Sequence, residues 1–130
     1  MTDLDTALQT FLKRHPEIRI AILYGSLASG RAGFESDLDL AVELDQPLTA
    51  GEKMRLIEEL SELTGRPVDL IDLHTVGEPL LGQIVKTGRR LKGSDARFAE
   101  LLKRHLFAVA DFLPHQRRIL RERRRAWLRK

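Results

Sequence analysis

The feature that most narrows the fold is a strand-like run that stops on a glycine and resumes on alternating acids. Ile18 to Tyr24 (IRIAILY) is short, apolar and rich in β-branched residues, and Gly25-Ser26 closes it. GSLASGRAG, residues 25–33, is too rich in small residues for a core element and reads as a turn holding one helical turn. Asp37 to Leu44 (DLDLAVEL) alternates polar and apolar over its first four positions and reads as a second strand, broken by Asp45, Gln46 and Pro47. Ten residues separate Ser26 from Asp37, giving G-S-x10-D-x-D across the end of one strand and the start of the next. A third apolar run, Val68 to Leu73 (VDLIDL), carries Asp69 and Asp72.

Helical periods lie around these strands. Leu4, Ala7, Leu8, Phe11 and Leu12 recur at i, i+3, i+4, i+7 and i+8, with acids early and Lys13 and Arg14 late, before Pro16. Thr49 can cap a helix running to about Leu63, with Met54, Ile57, Leu60 and Leu63 as its apolar face and Gly65 and Pro67 ending it. Residues 78–87 read as a helix and Arg89 to Lys92 as a short last strand. From Asp95 the chain reads as helix to Leu113, and Pro114 starts a second helix or a kinked continuation. Strands alternating with helices, then C-terminal helices, predict one α/β or α+β domain. The length of 130 residues suits a single core. The expected division is a strand-and-helix unit over 1–93 and a helical extension over 94–130 packed on it.

Charge separates the two parts. The net charge is +3, from 22 basic and 19 acidic residues. Residues 114–130 alone hold eight Arg and Lys against Glu122, a net +7, so the first 113 residues carry −4. There is no cysteine, which excludes disulfides, thiolate zinc sites and thiol nucleophiles. No apolar run approaches the roughly 18 residues that span a bilayer. With acids early and no signal-like apolar stretch at the N-terminus, a cytoplasmic protein is expected. Any metal must be held by carboxylates or by His15, His74, His105 and His115.

Asp37 and Asp39 are the strongest candidates. On a strand, residues i and i+2 face the same way, with Cα atoms about 6.6 Å apart. Two carboxylates at that spacing can converge on one or two hard cations such as magnesium. Without a cation such close like charges repel, and one pKa rises. Gly25 lets backbone approach a phosphate because no Cβ intervenes. N–H groups at the start of the next helical turn, with the Ser26 hydroxyl, can cradle an anion. A third carboxylate on a neighbouring strand would complete the set and ease deprotonation of an attacking hydroxyl. Asp69 and Asp72 are three apart and so face opposite ways on a strand. Spacing alone does not choose between them.

YGSLASGRAGFESDLDLAVEL followed by RPVDLIDL resembles the minimal nucleotidyltransferases of the DNA polymerase β superfamily over about residues 18–92. KTGRRLKG resembles the closing helix-to-strand segment of that domain. The short length and C-terminal helices are similar to the MntA-type antitoxins encoded beside HEPN-domain toxins. The resemblance implies a small mixed sheet flanked by helices, two magnesium ions and ATP. It implies attack of a hydroxyl on the α-phosphorus with pyrophosphate leaving. In the antitoxin branch it implies that AMP is placed on a tyrosine of the HEPN RNase partner. Gly25 and Ser26 match the phosphate-binding pair, Asp37 and Asp39 the metal pair, and Asp69 the third metal-binding, catalytic carboxylate. Many relatives have arginine directly after the alanine of the turn. Here Ser29 stands there and Arg31 follows two later, and Arg31 reads as a solvated turn residue.

Other residues read more plainly. Tyr24, the only tyrosine, could stack on a base but reads as core. His74 reads as a solvated turn residue, and His105 and His115 have no ligand partner at i+3 or i+4. The HEPN pattern Arg-x4-His is absent, so the chain would be the antitoxin half. Leu113, Leu120 and Trp127 recur every seven residues in the basic tail, which reads as a packing face or as a dock for an acidic protein. RNA is the weaker partner, since interleaved aromatics are lacking. Two alternatives remain: an antitoxin that neutralises by binding only, and a nucleotidyltransferase acting on small molecules of the aminoglycoside type.

Overall fold

A computed structural model describes residues 3–29 and 36–110. In chain order the elements are α1 (Asp3–Arg14), β1 (Ile20–Tyr24), α2 (Ser26–Ser29), β2 (Leu38–Glu43), α3 (Ala50–Thr64), β3 (Val68–Asp72), α4 (Leu80–Thr87) and β4 (Arg89–Lys92). A last helix, α5, covers 95–110, the final described residues. The strands form a mixed four-stranded sheet in the order β3-β2-β1-β4. β1 runs antiparallel to both β2 and β4, while β2 and β3 are parallel. The parallel pair needs a crossover, and α3 supplies it. This is the α/β arrangement expected from the alternation of strand and helix.

The sheet is covered on both faces, which explains why β1 is uniformly apolar. All five residues of β1 are buried, as a central strand between two helical layers requires. On one face, Ala21, Leu23, Leu38, Leu40, Val42 and Leu70 pack against Leu8, Phe11 and Leu12 of α1 and Leu56 and Leu60 of α3. On the other face, Ile20, Ile22, Tyr24 and Ala41 pack against Leu81, Ile84 and Val85 of α4 and Leu101 of α5.

α3 is well capped. The Thr49 hydroxyl accepts the Glu52 N–H, and the Glu52 carboxylate accepts the Thr49 N–H, both at 3.1 Å. Gly65 ends the helix in the left-handed region at φ 66°. Its buried face is the expected one at Ile57, Leu60 and Leu63 but not at Met54, which is 58% exposed while Leu56 is buried. The reason is angular. Residues 54, 57, 60 and 63 step by three, and nine residues at 100° each place the ends of that row on opposite sides. Leu56 and Leu60 with the partly buried Ile57 and Leu63 form the real stripe.

α5 packs on the second face through Leu101 and the partly buried Phe98. Arg104 donates to the Leu73 carbonyl, and Arg97 pairs with Glu43 and Asp45. His105 is 5% exposed and lies 2.7 Å from the Glu78 carboxylate through Nδ1. His74 is not simply solvated. Its ring is partly buried, and Nε2 donates to the Leu44 carbonyl at 2.6 Å. Arg31 and residues 111–130, including the basic tail 114–130, His115, Leu120 and Trp127, lie outside the described residues. No described helix is long and apolar enough to cross a membrane.

Candidate active site

Strand register assembles the site. Tyr24 on β1 stands opposite Asp39 on β2, and Asp39 stands beside Asp69 on β3. Residues level with one another on neighbouring strands share a face, so Tyr24, Asp39 and Asp69 form one row across the sheet. The row lies on the α4–α5 face, at the end of β1 where the chain turns into Gly25. Asp37 immediately precedes β2, two residues from Asp39 and exposed. Asp69 is also exposed, whereas Asp39 is half-buried.

Gly25 is required here on two counts. Its φ of +74° is left-handed, where side chains are strained. A Cβ at that position would collide with the Asp39 carboxylate oxygen Oδ2. The turn therefore presses bare backbone against a metal-candidate acid, and the exposed Ser26 opens α2 directly afterwards. Gly25 and Ser26 thus sit beside Asp39.

The electrostatics follow from this crowding. Burial, and then the charges of Asp69 and Asp37, hold the Asp39 carboxyl above the usual carboxylate range. Both other candidate acids therefore act on Asp39. Burial, with Asp69 and then Asp39, also pushes the Tyr24 phenol up. Tyr24 is core, as read from sequence, at 4% exposure. Its hydroxyl, however, is buried with no hydrogen-bond partner. Sequence reasoning missed that atom. The signal was available in principle, since pairing β1 with β2 end to end puts Tyr24 level with Asp39.

The structure separates the two acids of VDLIDL. Asp72 is 8% exposed, and its carboxylate accepts the N–H groups of Leu48 and His74, both at 2.9 Å. It ties the β2–α3 connection to the end of β3. Asp69 faces the other way and stands in register with Asp39.

The donor set suits a hard divalent cation: carboxylates only, on one sheet face, with a perturbed member and an uncompensated buried hydroxyl nearby. No group of three or more acid or histidine ligands is drawn around a single point among the described residues. Mutual repulsion keeps three carboxylates from converging unless a cation stands between them, so the backbone register is the more informative observation. A cavity of about 690 Å³ lies elsewhere, between α4 and α5, lined by Glu78, Gly82, Lys86, His105 and Val109 among others. Asp37, Asp39 and Asp69 are not among its lining residues.

Known proteins are similar to this chain in sequence and in fold. Residues 6–97 match the family described as polymerase beta, nucleotidyltransferase. The protein adenylyltransferase MntA of Shewanella oneidensis is 30% identical over 79 residues, which is 61% of this chain and 57% of that relative. The chain thus spans little more than half the length of that curated relative. Among solved structures, a chain of a toxin–antitoxin complex with AMP-PNP superposes with a TM-score of 0.77 at 22% identity, covering 91% of this chain and 96% of the other. A chain from the complex of a tri-AMPylated Shewanella oneidensis HEPN toxin with its MNT antitoxin superposes with a TM-score of 0.67 at 22% identity, covering 90% and 96%. With residues 6–97, most of its length, matched by that family, the chain belongs to the polymerase beta nucleotidyltransferase family.

Proposed function

We propose that this chain is a magnesium-dependent protein adenylyltransferase that acts as an antitoxin, moving AMP from ATP to a hydroxyl, expected to be a tyrosine, of a HEPN-type RNase toxin. The observation that carries the reading is the in-register pair Asp39 and Asp69, with Asp37 two residues away and Gly25 backbone pressed on Asp39. Asp37, Asp39 and Asp69 would hold magnesium, expected as two ions, which neutralises triphosphate charge and makes the α-phosphorus easier to attack. Gly25 N–H and the Ser26 hydroxyl orient the phosphates. The acceptor oxygen forms a bond to the α-phosphorus, the bond from that phosphorus to the bridging oxygen of the β-phosphate breaks, and pyrophosphate leaves. Asp69, exposed beside Asp39, takes the hydroxyl proton. The 94–130 segment is read as a helical extension serving the partner rather than the chemistry. The adenylyltransferase name of the Shewanella relative and the AMPylated HEPN toxin of the matched complex support the donor and acceptor.

The test is to incubate the protein with labelled ATP, magnesium and the product of the neighbouring gene, and to measure AMP transfer by intact mass. Transfer by the native chain that Asp37→Asn or Asp39→Asn abolishes is the expected result. Native protein that transfers nothing, yet neutralises a co-expressed toxin as well as its carboxylate variants do, would establish the binding-only antitoxin instead. Transfer to an aminoglycoside and not to the protein would establish the small-molecule enzyme.

A further inference from the structure

One polar atom in the row of site residues has no part in the chemistry above. The Tyr24 hydroxyl is buried and unpartnered, while its ring packs in the cluster with Ile22, Ala41 and Leu81. A buried hydroxyl without a partner costs folding free energy, and such atoms are rare in native structures. The position is therefore notable, because phenylalanine would give the same packing without that cost. Register sets Tyr24 beside Asp39 and one strand further from Asp69. All three lie in one row on one face of the sheet. The phenol O–H is a donor.

We infer that Tyr24 is a positioning residue whose hydroxyl donates a hydrogen bond to the Asp69 carboxylate when the divalent cation and nucleotide are in place. The inference rests on the metal reading proposed above. A carboxylate on a cation keeps a second oxygen whose lone pairs need a partner, and such outer partners fix the ligand's orientation. Asp69 is on an edge strand and exposed, so little else restrains its rotamer. Tyr24 is on the central strand, packed under α4 and α5. It provides a rigidly packed donor to an exposed ligand, and its buried, unpartnered hydroxyl suits that role.

Tyr24 is the only tyrosine in the chain, so the 130-residue chain labelled with 13C at the hydroxyl-bearing ring carbon of tyrosine gives a single ring signal. Adding Mg2+ with a non-hydrolysable ATP analogue should shift that signal in saturable fashion, and no shift would overturn the inference without recourse to any variant. Tyr24→Phe supplies the second arm. Without ligand its melting temperature should equal or exceed the native value, because the orphan hydroxyl is gone. Its dissociation constant for Mn2+, measured calorimetrically with the analogue present, should rise about tenfold. Unchanged Mn2+ affinity in this variant overturns the inference alone. A native chain that binds no Mn2+ overturns the metal reading and the inference together.

Discussion

At the scale of the residue, the site is a compromise between stability and chemistry. Asp39 is half-buried between two like charges, which raises its pKa, so ionised Asp39 opposes folding. Asp39→Asn should therefore hold or raise thermal stability, by up to about 1 kcal/mol, while cutting AMP transfer about a thousandfold. Thermal unfolding and the transfer assay on one preparation check both signs. A loss of stability with activity would mean that Asp39 is structural. Gly25→Ala should instead destabilise the fold, since left-handed φ and the collision with Asp39 both oppose any Cβ. We expect a loss of about 1–3 kcal/mol in denaturant unfolding, together with lost transfer. Asp72 differs from Asp69 for a reason equally local: its oxygens are already occupied by two backbone N–H groups.

At the scale of the element, the attachment of α1 to α3 carries a pH dependence. His15, just past α1, lies 2.6 Å from the Glu17 carboxylate and 2.5 Å from that of Glu59 on α3. Burial alone would pull the His15 pKa down, but the hydrogen bonds and charges of Glu59 and Glu17 outweigh it and the pKa is raised. Burial would likewise raise Glu59, yet His15 and Arg14 bring it below its ordinary value. The raised histidine contributes fully below its ordinary pKa of 6.5 and fades as pH rises through the higher native value. The depressed carboxylate contributes above its ordinary 4.5 and fades as pH falls through the lower native value. The stability gap between native protein and His15→Ala should thus be widest between about pH 4.5 and 6.5 and narrow above it. Melting curves across pH would show this, and a gap that grows toward alkaline pH would contradict it. The cap of α3 is a simpler case: Thr49→Ala should cost about 1 kcal/mol in denaturant unfolding.

At the scale of the whole molecule, α5 is asymmetric. Leu101 is buried against the sheet, whereas Leu106 and Phe107 are 58% and 59% exposed. Leu101→Ala should cost about 2–5 kcal/mol, while Leu106→Gln should stay within about 0.5 kcal/mol. Comparable losses from both would mean that α5 is packed differently. Much of this architecture was legible in the chain. The helical period of α1, the apolar run of β1, the bounds of β4 and G-S-x10-D-x-D all come from local chemistry: periodicity, β-branching and a glycine that breaks a strand. The misreadings have local causes too. A row stepping by three drifts around a helix, so Met54 left the core face. His74 is partly buried because a carbonyl from the β2 end comes to meet it. Residue types and spacing by themselves determined the strand-and-helix alternation, the identity of the candidate acids and the need for glycine at a strand end. Only the tertiary structure decided that β2 and β3 pair in parallel, with Asp39 level with Asp69. It alone turned Asp72 into a backbone tie and set Tyr24 in one row with Asp39 and Asp69. Those outcomes depend on register between segments some thirty residues apart, and pairing of that kind is set by how two faces of a sheet are covered.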